Sequence, residues 1–445
     1  MKKALALLLV AAILASLAAC GGGRAVGDSA AANGKTTLMI YMIGSDLESK
    51  SGAATDDLIE IQDSGIDIEN NEVVLCTGGS PEWQNDTIGN DNNTILTLSG
   101  EGYDVEEKMS QASMGEAKTL TGFLDYCVQK HPAEHYALIL WNHGNGPLIG
   151  YGKDMLFDND SLTLSEMSDA LEKSSFSKDN RLDWVGFDAC LMASAELCCV
   201  WAPYAQYLVA SQEVEPSFGW QYSFLKELGK REPVSLIGDI TQNYLSTCLD
   251  YFKEKNYDDR DTTLACVDLS RAEELSDAVN DLFAEASKNV EKRYDALAAH
   301  RVDARALGRA STGSEYDLVD LCDLAKQLEQ EYPDQSKKLS GLIEEMVISN
   351  ATNAEGLSGM SLYYPFYNKN YYENEWSKIY RDLNVFPEYT DYLSKYEKIW
   401  LGEDMHEDYA NSEIPESESE SKYTLQLTDD QAKHFASAKY YICAL

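Results

Sequence analysis

Short apolar runs separated by amphipathic stretches restrict this chain more than any other feature. TTLMIYMIG (36–44), EVVLCTGG (72–79), YALILWN (136–142), DWVGFDA (183–189), YLVAS (207–211), TTLACVDL (262–269) and LSGMSLYYP (357–365) read as strands. Several are apolar at consecutive rather than alternate positions, so both faces of such a strand must be covered. Between them, TLTGFLDYCVQK (119–130) lines up Leu120, Phe123, Leu124 and Cys127 on one helical face. SLIGDITQNYLSTCLDYF (235–252) does the same with Leu236, Ile240, Tyr244, Cys248 and Phe252. Thr163 and Glu166 stand at capping-box spacing before Met167 and Leu171, which predicts a further helix. Strands alternating with helices predict an α/β fold: an α/β/α sandwich around a mostly parallel central sheet. A hydrophobic fraction of 44% suffices to cover such a sheet on both faces.

The two ends depart from this texture. MKKALALLLVAAILASLAAC (1–20) has a two-lysine start, an apolar run of signal-peptide length and small residues directly before Cys20. It resembles the lipobox of bacterial lipoproteins, in which the cysteine is lipidated and becomes the mature N-terminus. An ordinary cleaved signal with a chance cysteine is the plainer reading. Residues 21–35 (GGGRAVGDSAAANGK) read as a flexible tether. The lipobox reading makes the protein extracytoplasmic, with a lipid chain as its membrane partner and no spanning helix. Residues 36–400 are then the folded body. NSEIPESESESK (411–422) is acidic and lacks apolar periodicity, so 401–422 read as a linker. The C-terminal extension closes with 423–445, a tail that docks on the body or begins a second unit.

With 75 acidic against 36 basic residues, the net charge is −39. A surface so acidic repels nucleic acid and anionic headgroups and favours cationic peptides or metal ions; solubility alone is the plainer explanation. Of ten cysteines, those left after Cys20 are odd in number. None shows C-x-x-C spacing, so neither a zinc site nor a regular disulfide framework is expected. Most read as small buried hydrophobes.

Ligands of an open parallel sheet bind beyond the carboxyl ends of its strands. Two apolar runs reach such an end at a reactive residue: ALILWNHGNG (137–146) runs into His143, and DWVGFDACLMAS (183–194) into Cys190. The intervening segment leaves room for a helix, so neighbouring strands can bring the two together. A thiol nucleophile needs a base to take its proton and an acid to protonate the leaving amine, and imidazole serves as both. Gly144 leaves its N–H open to a substrate oxygen, and with the N–H of Cys190 it would form an oxyanion hole. A helix starting at Cys190, through LMASAELCCVWA, would favour the thiolate. On spacing alone, a structural histidine and an inert buried cysteine remain the commoner outcome.

The wider pattern is more specific. YALILWNHGNG and GFDACLMAS resemble the two signature blocks of the clostripain family of cysteine peptidases, in the clan of caspases, gingipains and legumains. LMIYMIGSDLE (38–48), CTGG (76–79) with Trp83, SMGEAKTLTGFLDY (113–126), ASQEVEPSFGW (210–220) and GLSGMSLYYP (356–365) resemble further blocks in family order. The likeness spans roughly residues 36 to 400. It implies a caspase-like sandwich hydrolysing peptide bonds, with His143 as general base and acid, Cys190 as nucleophile, and Gly144 and Cys190 as oxyanion donors. Asp188 falls where members that cut after Arg or Lys use an acid in the substrate pocket; a strand-end cap is the plainer role for it. Ser211 and Phe218 fall in the block that lines the same pocket. Those members place another acid shortly before the Gly-Trp pair, whereas Phe218 stands there in this chain, with Glu213 and Glu215 upstream. A pocket shortened in this way would suit something smaller or less charged.

The resemblance also implies a zymogen cut between His143 and Cys190, yielding a monomer or a self-cleaved two-piece molecule. Lys153 (YGKDM) and Arg181 (DNRLDW) are exposed-looking candidates for that cut, or simply solvated loop charges. No cofactor is required, and calcium enters by resemblance only: DNDS (158–161) lacks the spaced acids and glycine of an EF-hand loop, so no metal is placed there. The competing readings are a solute-binding lipoprotein, for which His143 and Cys190 would be coincidental, and a degenerate peptidase without catalysis.

Overall fold

The computed structural model describes residues 34–401 except 258–259, 311–312 and 369–371. The signal-like segment with Cys20, most of the tether and the tail from 402 onward lie outside the described residues. The strands are β1 (Thr36–Ile43), β2 (Asn71–Gly78), β3 (Asn92–Ser99), β4 (Gly102–Ser110), β5 (His135–Trp141), β6 (Tyr151–Asp154) and β7 (Asp160–Leu162). After them come β8 (Leu182–Asp188), β9 (Ala205–Ala210), β10 (Thr263–Asp268), β11 (Ala306–Ala310), β12 (Gly313–Asp320), β13 (Val347–Thr352) and β14 (Ser361–Tyr363). Nine form one sheet in the order β13-β10-β9-β8-β5-β1-β2-β3-β4. Its centre, from β9 to β2, is parallel throughout, and antiparallel strands finish both edges.

Consecutive apolar residues do what the sequence required of them. Along β1, Met39, Tyr41 and Ile43 enter one core, while Leu38, Ile40 and Met42 enter the other. The first core receives Leu120, Phe123, Leu124 and Cys127 of helix Ala117–Lys130, and Met167 and Leu171 of helix Leu164–Glu172. Thr163 and Glu166 close a capping box at the start of that second helix. The second core receives Leu58 and Ile61 of helix Ala53–Asp63 and the apolar face of helix Pro233–Lys255. Helices therefore cover both faces, an α/β/α sandwich.

One sequence expectation changes, and one feature is new. Of LSGMSLYYP only Ser361–Tyr363 is a strand, and it pairs with β12 in a separate three-stranded sheet, not the central one. The edge hairpin β3–β4 was not anticipated, because β4 is mostly exposed and charged and shows no apolar run. The cysteines among the described residues are unpaired, and all but Cys190 and Cys199 are buried. No helix among the described residues is long and apolar enough to cross a membrane.

Candidate active site

β5 and β8 are neighbours in parallel register, with Trp141 opposite Asp188 as the last pair. The Asn142 N–H continues the ladder, donating to the Asp188 carbonyl at 3.3 Å. His143 and Cys190 thus stand equally far past the ends of adjacent strands. The buried Asn142 side chain ties this end to β1, donating through Nδ2 to the Ile43 carbonyl and, at 2.8 Å, to Ser45 Oγ.

Gly144 has a second task beyond an open N–H. A Cβ at this position would lie 1.9 Å from the Cys190 carbonyl oxygen, so only glycine lets the two loops touch. Gly144 also bridges to Tyr151, using the His143 carbonyl (from Gly152 N–H, 2.8 Å) and the Asn145 N–H (to the Gly150 carbonyl, 2.9 Å). In that bridge the N–H of Gly144 itself takes no part.

The helix expected at Cys190 begins five residues later, at Ala195, with Ser194 as its cap. The intervening loop is held from outside: Leu191 adopts a left-handed φ of 63°. Its N–H donates to the Glu213 carbonyl at 3.1 Å, and the Ala193 N–H donates to the Ser211 carbonyl at 2.8 Å. No helix N-terminus therefore favours the thiolate. The Glu215 N–H donates to Cys190 Sγ at 3.2 Å. Burial pushes this thiol up to about 12, and the Glu215 carboxylate adds to the shift.

His143 is held by Asp46. Its Nε2 lies 3.0 Å from Asp46 Oδ1, on the helix Ser45–Ser51 that follows β1. Lys153 Nζ approaches the same oxygen at 3.4 Å and Lys50 Nζ the other at 3.1 Å. Burial raises the Asp46 carboxyl, but hydrogen bonds from His143 and Lys50 and the charges of His143 and Lys153 prevail. They hold it well below the usual carboxylate range.

Asp188 is buried. Its oxygens accept the Trp220 N–H at 3.2 and 3.3 Å and the Tyr222 hydroxyl at 3.0 Å. Gly219, at φ +60°, passes so close that a Cβ would lie 2.6 Å from Asp188 Oδ1. Burial pushes Asp188 up to about 7 against those hydrogen bonds. Glu215 is buried with both carboxyl oxygens unpartnered, and burial together with the Asp188 charge raises it well above the ordinary range. Asp57 completes the group, accepting the Trp141 indole N–H at 2.6 Å, and burial and Asp188 raise it too. These carboxyls share one desolvated region, and among the described residues none of the three forms an ion pair.

Other expected residues have different surroundings. Ser211 is buried, its hydroxyl committed to the Glu213 carbonyl at 2.9 Å and Thr263 at 2.8 Å. Phe218 stacks edge-on against Tyr251, 5.0 Å between centroids. Lys153 sits on β6, half-buried against Asp46, rather than on an open loop; the exposed tip of that hairpin is Asp158–Asn159. Arg181 is half-buried at the entry to β8, beside the exposed turn 177–180. Neither is as exposed as its sequence suggested. Among the described residues no cluster of His, Cys, Asp or Glu is arranged to hold a metal ion. Sequence reasoning missed Asp46 as a partner of His143, although it lies in the block GSDLE that follows β1. It also left Glu215 outside the site.

A mostly parallel sheet clad on both faces, with His143 and Cys190 past the ends of central strands, is a caspase-like α/β/α architecture. Residues 40–401 match the model of the clostripain family. Clostripain of Hathewaya histolytica is 26% identical over 410 residues, with 76% of each chain covered. An inactive zymogen C11 protease from Parabacteroides distasonis superposes with a TM-score of 0.58 at 20% identity, covering 79% of this chain and 98% of that one. The secreted C11 cysteine protease "iotapain" of Bacteroides thetaiotaomicron superposes with a TM-score of 0.59 at 13% identity, covering 80% and 99%. The chain belongs to the clostripain family and is a cysteine-type endopeptidase.

Proposed function

We propose that peptide hydrolysis runs through Cys190 and His143, after Arg or Lys in the substrate. The observation carrying this reading is the register of β5 and β8, which sets both residues equally far past neighbouring strand ends, with Gly144 in contact with the Cys190 carbonyl. In the working state Sγ leaves the Glu215 N–H and gives its proton to His143. The thiolate then attacks the scissile carbonyl, and the N–H groups of Gly144 and Cys190 receive the developing oxyanion. His143 returns the proton to the leaving amine, and water hydrolyses the acyl-enzyme. No step calls for a cofactor.

Preference for a basic residue rests on Asp188 and Glu215. An entering guanidinium or ammonium would give these desolvated carboxyls a cationic partner, as a charge-assisted pair. The thiol held at the Glu215 N–H supports a latent conformation, in keeping with a zymogen released by a cut between His143 and Cys190, near Lys153 or Arg181. We place the enzyme outside the cytoplasm, anchored by a lipid on Cys20. The signal-like N-terminus supports this, as does the secreted nature of the solved Bacteroides relative.

The test is turnover of fluorogenic peptides with Arg, Lys or Gln before the reporter, by the wild-type chain and by Cys190→Ala and His143→Ala. Arg and Lys turnover lost in both variants is expected, and turnover surviving either removes the mechanism. Intact masses supply a second reading: wild-type fragments near 153 or 181 and an uncut Cys190→Ala chain are expected. Identical intact masses reject self-cleavage.

A further inference from the structure

We infer that Asp46 is a positioning residue for His143, selecting which ring nitrogen serves as the base. This rests on His143 being the base. An ionised carboxylate only accepts hydrogen bonds, so a neutral imidazole 3.0 Å away must turn an N–H toward it. The nitrogen at Asp46 is Nε2. The neutral ring is therefore the Nε2–H tautomer, and Nδ1 keeps the lone pair that takes the Cys190 proton. When the S–H bond breaks and the Nδ1–H bond forms, the imidazolium faces a carboxylate already in place.

Asp46 is built to stay ionised. Lys50 reaches it from its own helix and Lys153 from β6, and with His143 these are the charged groups that touch it. Its direction is set by the backbone: Ser45 takes a left-handed φ of 50°, turning the chain sharply as β1 ends. Asn142, next to His143, donates to Ile43 and Ser45 in that same turn. The loop carrying the base and the loop carrying its acceptor are thus joined by side-chain hydrogen bonds. Asp46 lies 97 residues before His143, so only the fold brings the two together.

The test combines kinetics with nitrogen NMR of 15N-labelled histidine, the His143 signals being assigned through His143→Ala. In the wild type His143 is expected as the Nε2–H tautomer. Asp46→Asn, whose amide can donate to Nε2, is expected to move it toward Nδ1–H and lower kcat on the order of a hundredfold, with KM changed less than threefold. Asp46→Glu, which retains the charge, is expected to recover part of kcat. A structural role alone would lower the folded fraction without changing the tautomer. Wild-type His143 found as Nδ1–H overturns the inference even if no variant folds. So does Asp46→Asn with wild-type kcat while His143→Ala and Cys190→Ala are inactive. Should those two variants remain active, it is the assignment of the base that fails.

Discussion

Replacing Gly144 with alanine places a methyl carbon 1.9 Å from the Cys190 carbonyl oxygen. An ordinary carbon–oxygen contact is about 3.4 Å, so one loop must retreat by about 1.5 Å. Neither can do so alone. The His143 loop is fastened through Asn142 to the end of β1, and the Cys190 loop through Leu191 and Ala193 to the segment after β9. The displacement therefore falls on the spacing between imidazole and sulfur, where a misplacement of about 1 Å can cost on the order of a hundredfold in rate. We expect Gly144→Ala to lose at least that factor in kcat on Arg and Lys peptides, and about 1–3 kcal/mol of stability from overpacking. Gly122→Ala, on a helix where a Cβ meets nothing within 4 Å, is the control. It should keep full activity and gain about 0.5–1 kcal/mol. Fluorogenic turnover and urea unfolding measure both. A Gly144→Ala enzyme within threefold of wild type would refute the claim that these loops meet at that glycine.

Glu196 lies fully buried in the helix after Cys190, accepting the Tyr363 N–H and the Tyr380 hydroxyl at 3.0 Å each, and burial pushes it up to about 7. The folded state thus holds its proton more tightly than the unfolded chain. Stability is fully present below the unfolded carboxyl range and is lost as pH rises toward about 7, by roughly 3 kcal/mol. Urea midpoints from pH 4.5 to 8 should show that slope flattened in Glu196→Gln; an unchanged slope counts against it. Glu215→Gln should lower kcat/KM more than tenfold on Arg and Lys peptides without lowering the melting temperature, whereas equal loss on Gln peptides would take Glu215 out of the specificity pocket. The Cys190 thiol, held at the Glu215 N–H and pushed up to about 12, implies that iodoacetamide labels Cys190 in the native uncut chain at least tenfold more slowly than in urea, and equal rates would exclude the latent conformation.

The centre of the sheet was legible because β1, β2, β5 and β8 are apolar on both faces, and that pattern has few other uses. The Thr163–Glu166 capping box was legible for a local reason, since both partners lie within one turn. Residues 191–195 were misread because Leu, Met and Ala favour a helix, while bonds to Ser211 and Glu213 impose a left-handed Leu191 instead. Asp46 was out of reach: nothing local links it to His143, and only the neighbouring positions of β1 and β5 in the sheet bring them together. Glu215 lay in plain view beside Phe218, but two unpartnered oxygens are a property of burial and not of spelling. Polar edge strands such as β4 escape hydropathy because their exposed face has nothing to cover it.

Catalysis by the paired residues is tested most directly by a peptidyl chloromethyl ketone with arginine next to the warhead, followed by peptide mapping. A single adduct on Cys190 is expected, with labelling slowed at least a hundredfold in His143→Ala. An adduct on another cysteine, or labelling of Cys190 unaffected by loss of His143, would contradict the joint action of thiol and imidazole.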